Sequence, residues 1–325
     1  MGELNETQRY LIDEHIEEYQ EGLIPRRELL RRVTLISGSA ALGAAIVAAC
    51  GPAPARTSPT PTTAAVATAT LSPTVGPFAT PPAQTTTDGV VKPDDPRITV
   101  SKPDLKGPDG ASLMAYMARP AGTARVPGVI VIQENRGQTP HLQDVVRRVA
   151  TAGFVGINID VVARAGGYEK LTDQAAYNAE LGKLTLAGKL ADHNAAITFL
   201  KAQSTGAIGV VGFCFGGGEV WNLVAAGADL KAAVPYYGPQ PSNFAEIAKT
   251  KTAVFGVYAE MDTRITGTAP AMEAELKKSG APYQIVTYPG VNHAFHNDTG
   301  TRYDAAQATK AWVATVEWFR KYLVG

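Results

Sequence analysis

The chain has 325 residues, enough for one large α/β domain or two small ones. Its 30 lysines and arginines balance its 30 aspartates and glutamates, so the formal net charge is zero and no basic field exists to attract nucleic acid. Hydrophobic residues make up 45% of the sequence, which is ordinary for a globular protein with a sizeable core.

Residues 1–50 follow the order of an export signal. Residues 1–25 are charged and polar, two arginine pairs follow, and an apolar run rich in alanine and glycine occupies residues 33–49. The pairs fit a twin-arginine signal, a receptor-read address for proteins exported in folded form, and Arg31-Arg32 fits it better than Arg26-Arg27. The apolar run spans roughly 17 residues, the lower limit for crossing a bilayer, so an uncleaved anchor is the alternative.

Cys50 ends this region in a pattern that resembles a bacterial lipobox, Val47-Ala48-Ala49-Cys50. The lipidated cysteine would become the mature N-terminus; the alternative is a cysteine placed by chance at the end of a signal. Either interpretation predicts an exported protein held by a lipid or an anchor at the outer face of a bacterial cytoplasmic membrane.

Residues 51–87 consist of proline, threonine and alanine with almost no charge or large apolar side chain. Such a segment cannot bury enough surface to offset its chain entropy. We therefore expect a disordered tether.

Residues 88–325 are predicted to form one domain in which strands alternate with helices. Strands are expected at 97–100, 112–118, 126–133, 154–160, 207–211, 232–237, 252–258 and 283–288, the first two being antiparallel around a turn at 108–110. Helices are expected at 141–152, across 171–203, at 219–226 and at 301–323. This alternation predicts an α/β fold, a mostly parallel sheet with helices on both faces. The functional residues should follow the carboxyl ends of the strands.

The glycine-rich stretch at 209–218 contains the pattern Gly212-x-Cys214-x-Gly216 between a strand and a helix. This is the pattern of a nucleophile elbow with cysteine in place of serine. A strained turn requires neighbours without side chains, and the helix N-terminus favours a thiolate and a developing oxyanion. The alternative is a buried, inert cysteine.

Two further strand ends carry the partners that a nucleophile needs. Asp262 follows the strand at 252–258, and His293 follows the strand at 283–288. Nucleophile, acid and histidine in this chain order are typical of α/β-hydrolases, in which the histidine acts as base and the carboxylate orients it. Glu260 is the alternative acid; His296 is the alternative base and is expected at the rim of the site.

Glu134 stands at the end of the apolar strand at 126–133, where a carboxylate is costly to bury without a partner. It could form a salt bridge with Arg136, or it could face Cys214 and receive or withhold the thiol proton. The backbone N–H groups of Asn135 and Phe215 are the predicted oxyanion donors.

The remaining chemistry is limited. Histidine, aspartate and glutamate form no cluster with the spacing of metal ligands, so no metal and no cofactor is predicted. A disulfide between Cys50 and Cys214 is conceivable by count, although lipidation of Cys50 would exclude it.

Together these motifs resemble the dienelactone hydrolase (carboxymethylenebutenolidase) family, from about residue 95 to the C-terminus. The resemblance implies an α/β-hydrolase fold, and it assigns the triad to Cys214, Asp262 and His293. It also implies that Glu134 holds the resting thiol and takes up its proton when substrate binds. The motifs that carry it are Gln133-Glu134, residues 212–217, Tyr236-Tyr237-Gly238, the Asp262 loop and His293-Ala294-Phe295.

One position departs from the family pattern. Dienelactone enzymes bind the substrate carboxylate with arginines, one of them four residues after the catalytic histidine, where this chain has Asn297. Arg164 and Arg302 are candidates for the other arginine. A charged hydrogen-bond donor contributes about 1.5–3 kcal/mol, and this chain lacks one at position 297. The resemblance therefore supports the family's reaction more firmly than it supports an anionic substrate.

The sequence thus predicts a hydrolase that cleaves a small ester or lactone through an S-acyl intermediate on Cys214, and a monomer is expected. The alternatives are a broad carboxylesterase or thioesterase with the same residues, and a surface binding protein on the same fold without turnover.

Overall fold

A computed structural model describes residues 4–51 and 90–324. Apart from Gly51, the predicted tether of residues 51–87 lies outside the described residues.

Eight strands form a single sheet in the order β1-β2-β4-β3-β5-β6-β7-β8. The β1–β2 and β2–β4 pairs are antiparallel, and the other five neighbouring pairs are parallel. The strands are β1 (Ile98–Ser101), β2 (Tyr116–Pro120), β3 (Gly128–Ile132), β4 (Val155–Asn158), β5 (Ile208–Phe213), β6 (Ala232–Tyr236), β7 (Ala253–Ala259) and β8 (Tyr283–Tyr288).

The central strands explain why apolar runs marked them in the sequence. Every residue of β3 and β5 is buried, because helices cover both faces of the sheet and leave neither face to water. Their parallel pairing aligns Ile132 with Gly212, so both strands end at the same edge.

Eight helices of the described chain belong to this domain. They are α4 (Pro140–Thr151), α5 (Gly167–Lys170), α6 (Gln174–Leu181), α7 (Leu186–Gln203), α8 (Phe215–Ala225), α9 (Thr263–Thr266), α10 (Ala269–Ser279) and α11 (Ala305–Phe319). Short 3₁₀ segments lie at Ala163–Ala165 and Phe244–Lys249, and a π-helical turn follows α11 at Arg320–Val324. The predicted α/β-hydrolase architecture is confirmed.

Element bounds differ from the sequence expectations at one strand and two helices. β2 begins at Tyr116 rather than at residue 112. The helix after Cys214 begins at Phe215 rather than at residue 219, so the triplet at 216–218 lies within its first turn. The last helix begins at Ala305 rather than at residue 301, because the Asp304 side chain accepts the Gln307 N–H and caps it there.

Residues 4–51 form three helices that pack on this domain: α1 (Glu6–Gln20), α2 (Arg26–Ser37) and α3 (Ala40–Ala49). Asn5 and Gln8 form a capping box that fixes the start of α1. Leu11 and Tyr19 of α1 and Leu29 and Val33 of α2 are fully buried. Within the described parts of the chain every helix is too short or too polar to cross a bilayer. The export signal stays a prediction.

Candidate active site

Cys214 occupies a strained turn between β5 and α8. Its backbone angles are φ 58° and ψ −120°, a region that residues with a side chain rarely adopt. Such a conformation costs about 1–3 kcal/mol and persists only where the surrounding structure imposes it. The strain points to a functional position for this thiol.

The neighbouring glycines make the turn possible. A Cβ at Gly212 would lie 2.1 Å from the carbonyl oxygen of Gly216, and a Cβ at Gly216 would lie 2.5 Å from that of Ile132. Both contacts are with backbone, which cannot rotate away. The steric demand that the sequence pattern predicts is therefore present in the fold.

Asp262 and His293 meet at the same edge of the sheet. Asp262 follows β7, His293 follows β8, and the Nδ1 atom of His293 lies 2.6 Å from Oδ2 of Asp262. Burial alone would raise the pKa of Asp262, but the charges of His293 and Arg264 and the hydrogen bond from the imidazole outweigh it and lower that pKa. The carboxylate is thus ionised and fixes the orientation of the ring.

Burial would also lower the pKa of His293, yet the pKa lies well above the usual value because nearby negative charge is stronger. The charges responsible are those of Glu14, Cys214 and Asp262, together with the hydrogen bond to Asp262. With α1 in place, these negative groups favour the protonated imidazole over the neutral one.

The predicted site residues converge on one cavity. Cys214, His293 and Glu134 line it, and Sγ of Cys214 lies within 4.8 Å of a ring nitrogen of His293. Asn135 lines the same cavity, and Phe215 is the first residue of α8.

Glu134 has a different partner from the one considered in the sequence. Its Oε2 accepts a 2.7 Å hydrogen bond from the Asn297 amide, while Arg136 lies 3.6 Å from Glu18 of α1. The salt bridge between Glu134 and Arg136 is therefore wrong. The Oε1 atom of Glu134 is buried without a hydrogen-bond partner in the described chain, which leaves one oxygen free for a group in the cavity.

His296 is not a rim residue. It is 2% exposed and stacks on Phe213 with ring centroids 4.9 Å apart. Burial lowers the pKa of His296 well below its usual value, so the ring is a neutral core group. Glu260 is also not the acid of this pair: its Oε2 accepts the Gly290 N–H at the surface.

Two residues of α1 reach the reacting groups, and sequence reasoning missed both. The Tyr10 hydroxyl lies 3.0 Å from Sγ of Cys214, and Oε2 of Glu14 lies 3.4 Å from Nε2 of His293. Burial raises the pKa of Tyr10 well above its usual value, so the hydroxyl keeps its proton and can donate it to the sulfur.

Ion pairs hold α1 over the cavity. Arg264 binds Glu14 and, at 2.6 Å, Glu17, while Arg302 binds Glu21 at 2.6 Å. Positions 14, 17, 18 and 21 share one helical face. That acidic stripe was a signal for a docking face, but its place within a predicted export signal concealed it.

Of the two arginines considered for binding a substrate carboxylate, only one lies at the cavity. Arg302 lines the cavity, whereas Arg164 binds Asp109 and Asp192 and does not line it.

With α1 in place the cavity is small, about 60 Å³. Cys214 is 4% exposed and His293 is 2% exposed. Ligand pockets span about 300–1,000 Å³. The cavity is therefore several times smaller than an ordinary ligand pocket.

Within the described residues, Glu14, Cys214 and His293 form one group that could hold a metal ion, with ligand atoms within 4.8 Å of one another. These residue types bind Zn²⁺. They are far apart in the sequence, so their spacing gives no metal signal. Both cysteines are free thiols, and the alternative of a disulfide between Cys50 and Cys214 is wrong.

Comparison with known proteins identifies relatives of the region that contains this site. The family model "Dienelactone hydrolase family" matches residues 113–323. A protein named "Putative carboxymethylenebutenolidase" from Methylorubrum extorquens is 32% identical over 222 residues, covering 64% of this chain and 76% of the relative. A protein of the same name from Salmonella typhi is 32% identical, covering 66% of this chain and 84% of the relative.

Solved structures agree on the fold. A structure titled as a putative dienelactone hydrolase from Klebsiella pneumoniae is 29% identical with a TM-score of 0.64, covering 69% of this chain and 99% of that one. A dienelactone hydrolase-like promiscuous phosphotriesterase from metagenomic libraries is 22% identical with a TM-score of 0.58, covering 70% and 99%. Helices α1–α3 lie outside the residues that the family model matches.

Proposed function

Because this chain belongs to the dienelactone hydrolase family and is a hydrolase of esters or lactones, we propose that Cys214 is its nucleophile and that the reaction passes through an S-acyl intermediate. The observation that carries the proposal is the ring of His293, whose Nδ1 is bound 2.6 Å from Asp262 while Nε2 faces the side of the thiol and Glu14. Asp262 orients the ring, and a ring nitrogen lies within 4.8 Å of the sulfur of the proposed nucleophile.

In the first half of the reaction, Nε2 of neutral His293 takes the thiol proton of Cys214. The thiolate attacks the carbonyl carbon of the ester and forms a C–S bond. The carbonyl oxygen becomes an oxyanion, which the backbone N–H groups of Phe215 and Asn135 stabilise. Asp262 stabilises the imidazolium that results.

In the second half, the tetrahedral intermediate collapses and the C–O bond to the leaving alkoxide breaks. His293 donates its proton to that oxygen. A water molecule then attacks the thioester with His293 as base, the C–S bond breaks, and the acid product leaves with the thiol restored. No cofactor takes part.

Glu134 controls the thiol in this scheme. Asn297 donates to one oxygen of its carboxylate, and the other oxygen is buried without a partner in the described chain. That free oxygen is suited to accept a hydrogen bond from the resting Cys214 thiol, until His293 takes the proton. Since Asn297 already donates one N–H to Glu134, at most one N–H of its amide remains for the carboxylate of an anionic substrate.

The test compares wild type with Cys214→Ala, with Cys50→Ser as the matched control that removes the other thiol. Hydrolysis of an activated aryl ester and of a dienelactone is followed on the full chain, before and after cutting at a protease site inserted between residues 52 and 89. Loss of turnover in Cys214→Ala, together with retained turnover in Cys50→Ser, supports the proposal. Equal turnover in Cys214→Ala and wild type overturns it.

The substrate panel also separates the narrower alternatives. Hydrolysis of the dienelactone supports the anionic substrate class of the family, whereas cleavage of the neutral ester alone supports a broad carboxylesterase in which Asn297 has changed the preference. Binding of either compound without turnover supports the non-catalytic alternative.

We also propose that the protein is exported and lipidated on Cys50, on the basis of the arginine pairs, the apolar run at 33–49 and the lipobox-like sequence. Mass spectrometry of the protein from a bacterial membrane fraction should find an N-terminus at Cys50 with added acyl chains. A Cys50→Ser variant should lose the lipid. An unmodified N-terminus upstream of residue 50 would rule out lipidation.

A further inference from the structure

We propose that α1 is an inhibitory plug: docked on the catalytic domain, the N-terminal helix occupies the substrate site and holds the enzyme inactive. The inference rests on the proposed role of Cys214 and His293. It goes beyond that role, because α1 lies outside the residues that the family model matches.

The first argument is space. α1 contributes Glu14 and Glu18 to the wall of a cavity of about 60 Å³, and the Tyr10 side chain lies against the sulfur of Cys214. Ordinary ligand pockets span about 300–1,000 Å³, several times the volume of this cavity. The acyl group of a substrate must occupy the position over Sγ that the Tyr10 hydroxyl now holds.

The second argument is that α1 also places a carboxylate beside the base. His293 has Asp262 at Nδ1 and Glu14 at Nε2, the latter 3.4 Å away. The other groups near the ring are Cys214 and the aromatic ring of Tyr237, whose centroid is 4.9 Å away. Glu14 therefore stands next to the nitrogen that must take the thiol proton in the first step of the reaction.

The third argument is how α1 is attached. Glu17 binds Arg264 and Glu21 binds Arg302, and Ser242 donates to Glu6 at the N-terminal end of the helix. Polar contacts of this kind are salt-sensitive and can be exchanged for contacts with water. Leu11 and Tyr19 add buried apolar contacts, so loss of the ion pairs should weaken the docking of the helix rather than abolish it.

The proposed lipidation gives the plug a release step. Cleavage before Cys50 would detach residues 1–49, and α3 ends at Ala49, so one cut would free all three helices. The enzyme would stay closed until it reached the membrane. This step alone depends on the lipoprotein proposal, and the plug itself does not.

The experiment uses the full chain in a Cys50→Ser background, so that Cys214 is the single thiol. Glu17→Lys combined with Glu21→Lys reverses the charges that face Arg264 and Arg302 without touching the reacting groups. Glu28→Lys is the matched control, because Glu28 pairs with Arg31 and Arg32 inside the helical unit. The rate of Cys214 alkylation by iodoacetamide and the rate of ester hydrolysis are both measured.

We expect both rates to rise roughly tenfold or more in the double variant and in the chain cut between residues 52 and 89, but not in the control. Unchanged or lower rates in the double variant and the cut chain would overturn the plug; a fall would make Tyr10 and Glu14 part of the catalytic machinery instead. Faster alkylation without any ester hydrolysis would support the plug and contradict the proposed function, so the two failures are distinguishable.

Discussion

The sheet edge and helix α1 supply side chains to the same cavity, but different forces hold them there. The sheet edge is fixed by strands that are buried throughout, such as β5, and by glycines that leave no room for a Cβ. α1 is held over the cavity by ion pairs to Arg264 and Arg302 in addition to buried apolar side chains such as Leu11. Packing of the first kind does not yield to salt or to single charge changes, whereas contacts of the second kind do.

The residues at the sheet edge are therefore assigned to catalysis, and helix α1 is assigned to its regulation. Strain at Cys214 needs a rigid frame, since a conformation costing about 1–3 kcal/mol relaxes wherever its surroundings permit. A helix that has to leave the site must lose little free energy when its contacts are exchanged for contacts with water.

The largest effect is expected from Gly212→Ala. Its Cβ would lie 2.1 Å from the carbonyl oxygen of Gly216, so the turn must deform or the strand must shift. We expect the free energy of unfolding to fall by about 3 kcal/mol or more, with loss of hydrolysis. Urea denaturation measures it. Gly188→Ala, whose Cβ meets only the Thr185 side chain at 3.2 Å, is the control and should change stability little.

The support of Glu134 comes next. Asn297→Ala removes the hydrogen bond to Oε2 of Glu134 and should lower the free energy of unfolding by about 1–3 kcal/mol. Asn297→Asp should lower it further, because it places a second carboxylate beside Glu134. Thr299→Val, which removes only the Thr299 hydroxyl bond to Asn297, should cost about 1 kcal/mol or less. Equal stability of the Ala and Asp variants would contradict this account of Glu134.

Glu14→Gln tests the contact between α1 and the base. Glu14 is one of the charges that raise the pKa of His293, so its removal should lower that pKa and move the pH profile of Cys214 alkylation to lower pH. The midpoint, followed by alkylation rate or by NMR of the ring, is the measurement. An unchanged midpoint would mean that Glu14 does not act on His293.

The same pKa sets the pH dependence of docking. Because His293 has a raised pKa with α1 in place, its contribution to docking is fully present below the ordinary value of about 6.5. It is lost as pH rises through the raised value, so α1 should release more readily at alkaline pH.

The smallest effect is expected from salt. The side chains of the Arg264–Glu17 pair are about a quarter exposed, and those of Arg302–Glu21 are partly exposed. At about 1 M ionic strength the screening length falls to about 3 Å, so alkylation of Cys214 in the full chain should speed up a few-fold. The cut chain should show no such gain. An equal gain in both chains would place the salt effect outside the α1 interface.

Much of the fold was predictable, because buried parallel strands leave a continuous apolar run and strand ends carry the polar residues. Cys214, Asp262 and His293 each follow such a run, and the structure brings their side chains to one edge. The assignment of the three as a working triad stays a prediction.

What sequence could not predict were contacts between residues distant along the chain. Asn297 binds Glu134 across 163 positions, and Tyr10 binds Cys214 across 204. His296 was expected at the rim because it stands close to His293, yet it packs on Phe213 in the core. Composition assigned residues 1–25 to an export signal, and only tertiary packing determines where the acidic face of α1 lies.

The most direct test of the central claim is to trap the acyl group. The cut chain is mixed with an activated aryl ester, quenched with acid within the first turnovers, digested and analysed by mass spectrometry. We expect the added acyl mass on the peptide that contains Cys214. Hydroxylamine should release it, and the Cys214→Ala variant should lack it. An acyl group on a different residue, or ester turnover with Cys214 never modified, would contradict it.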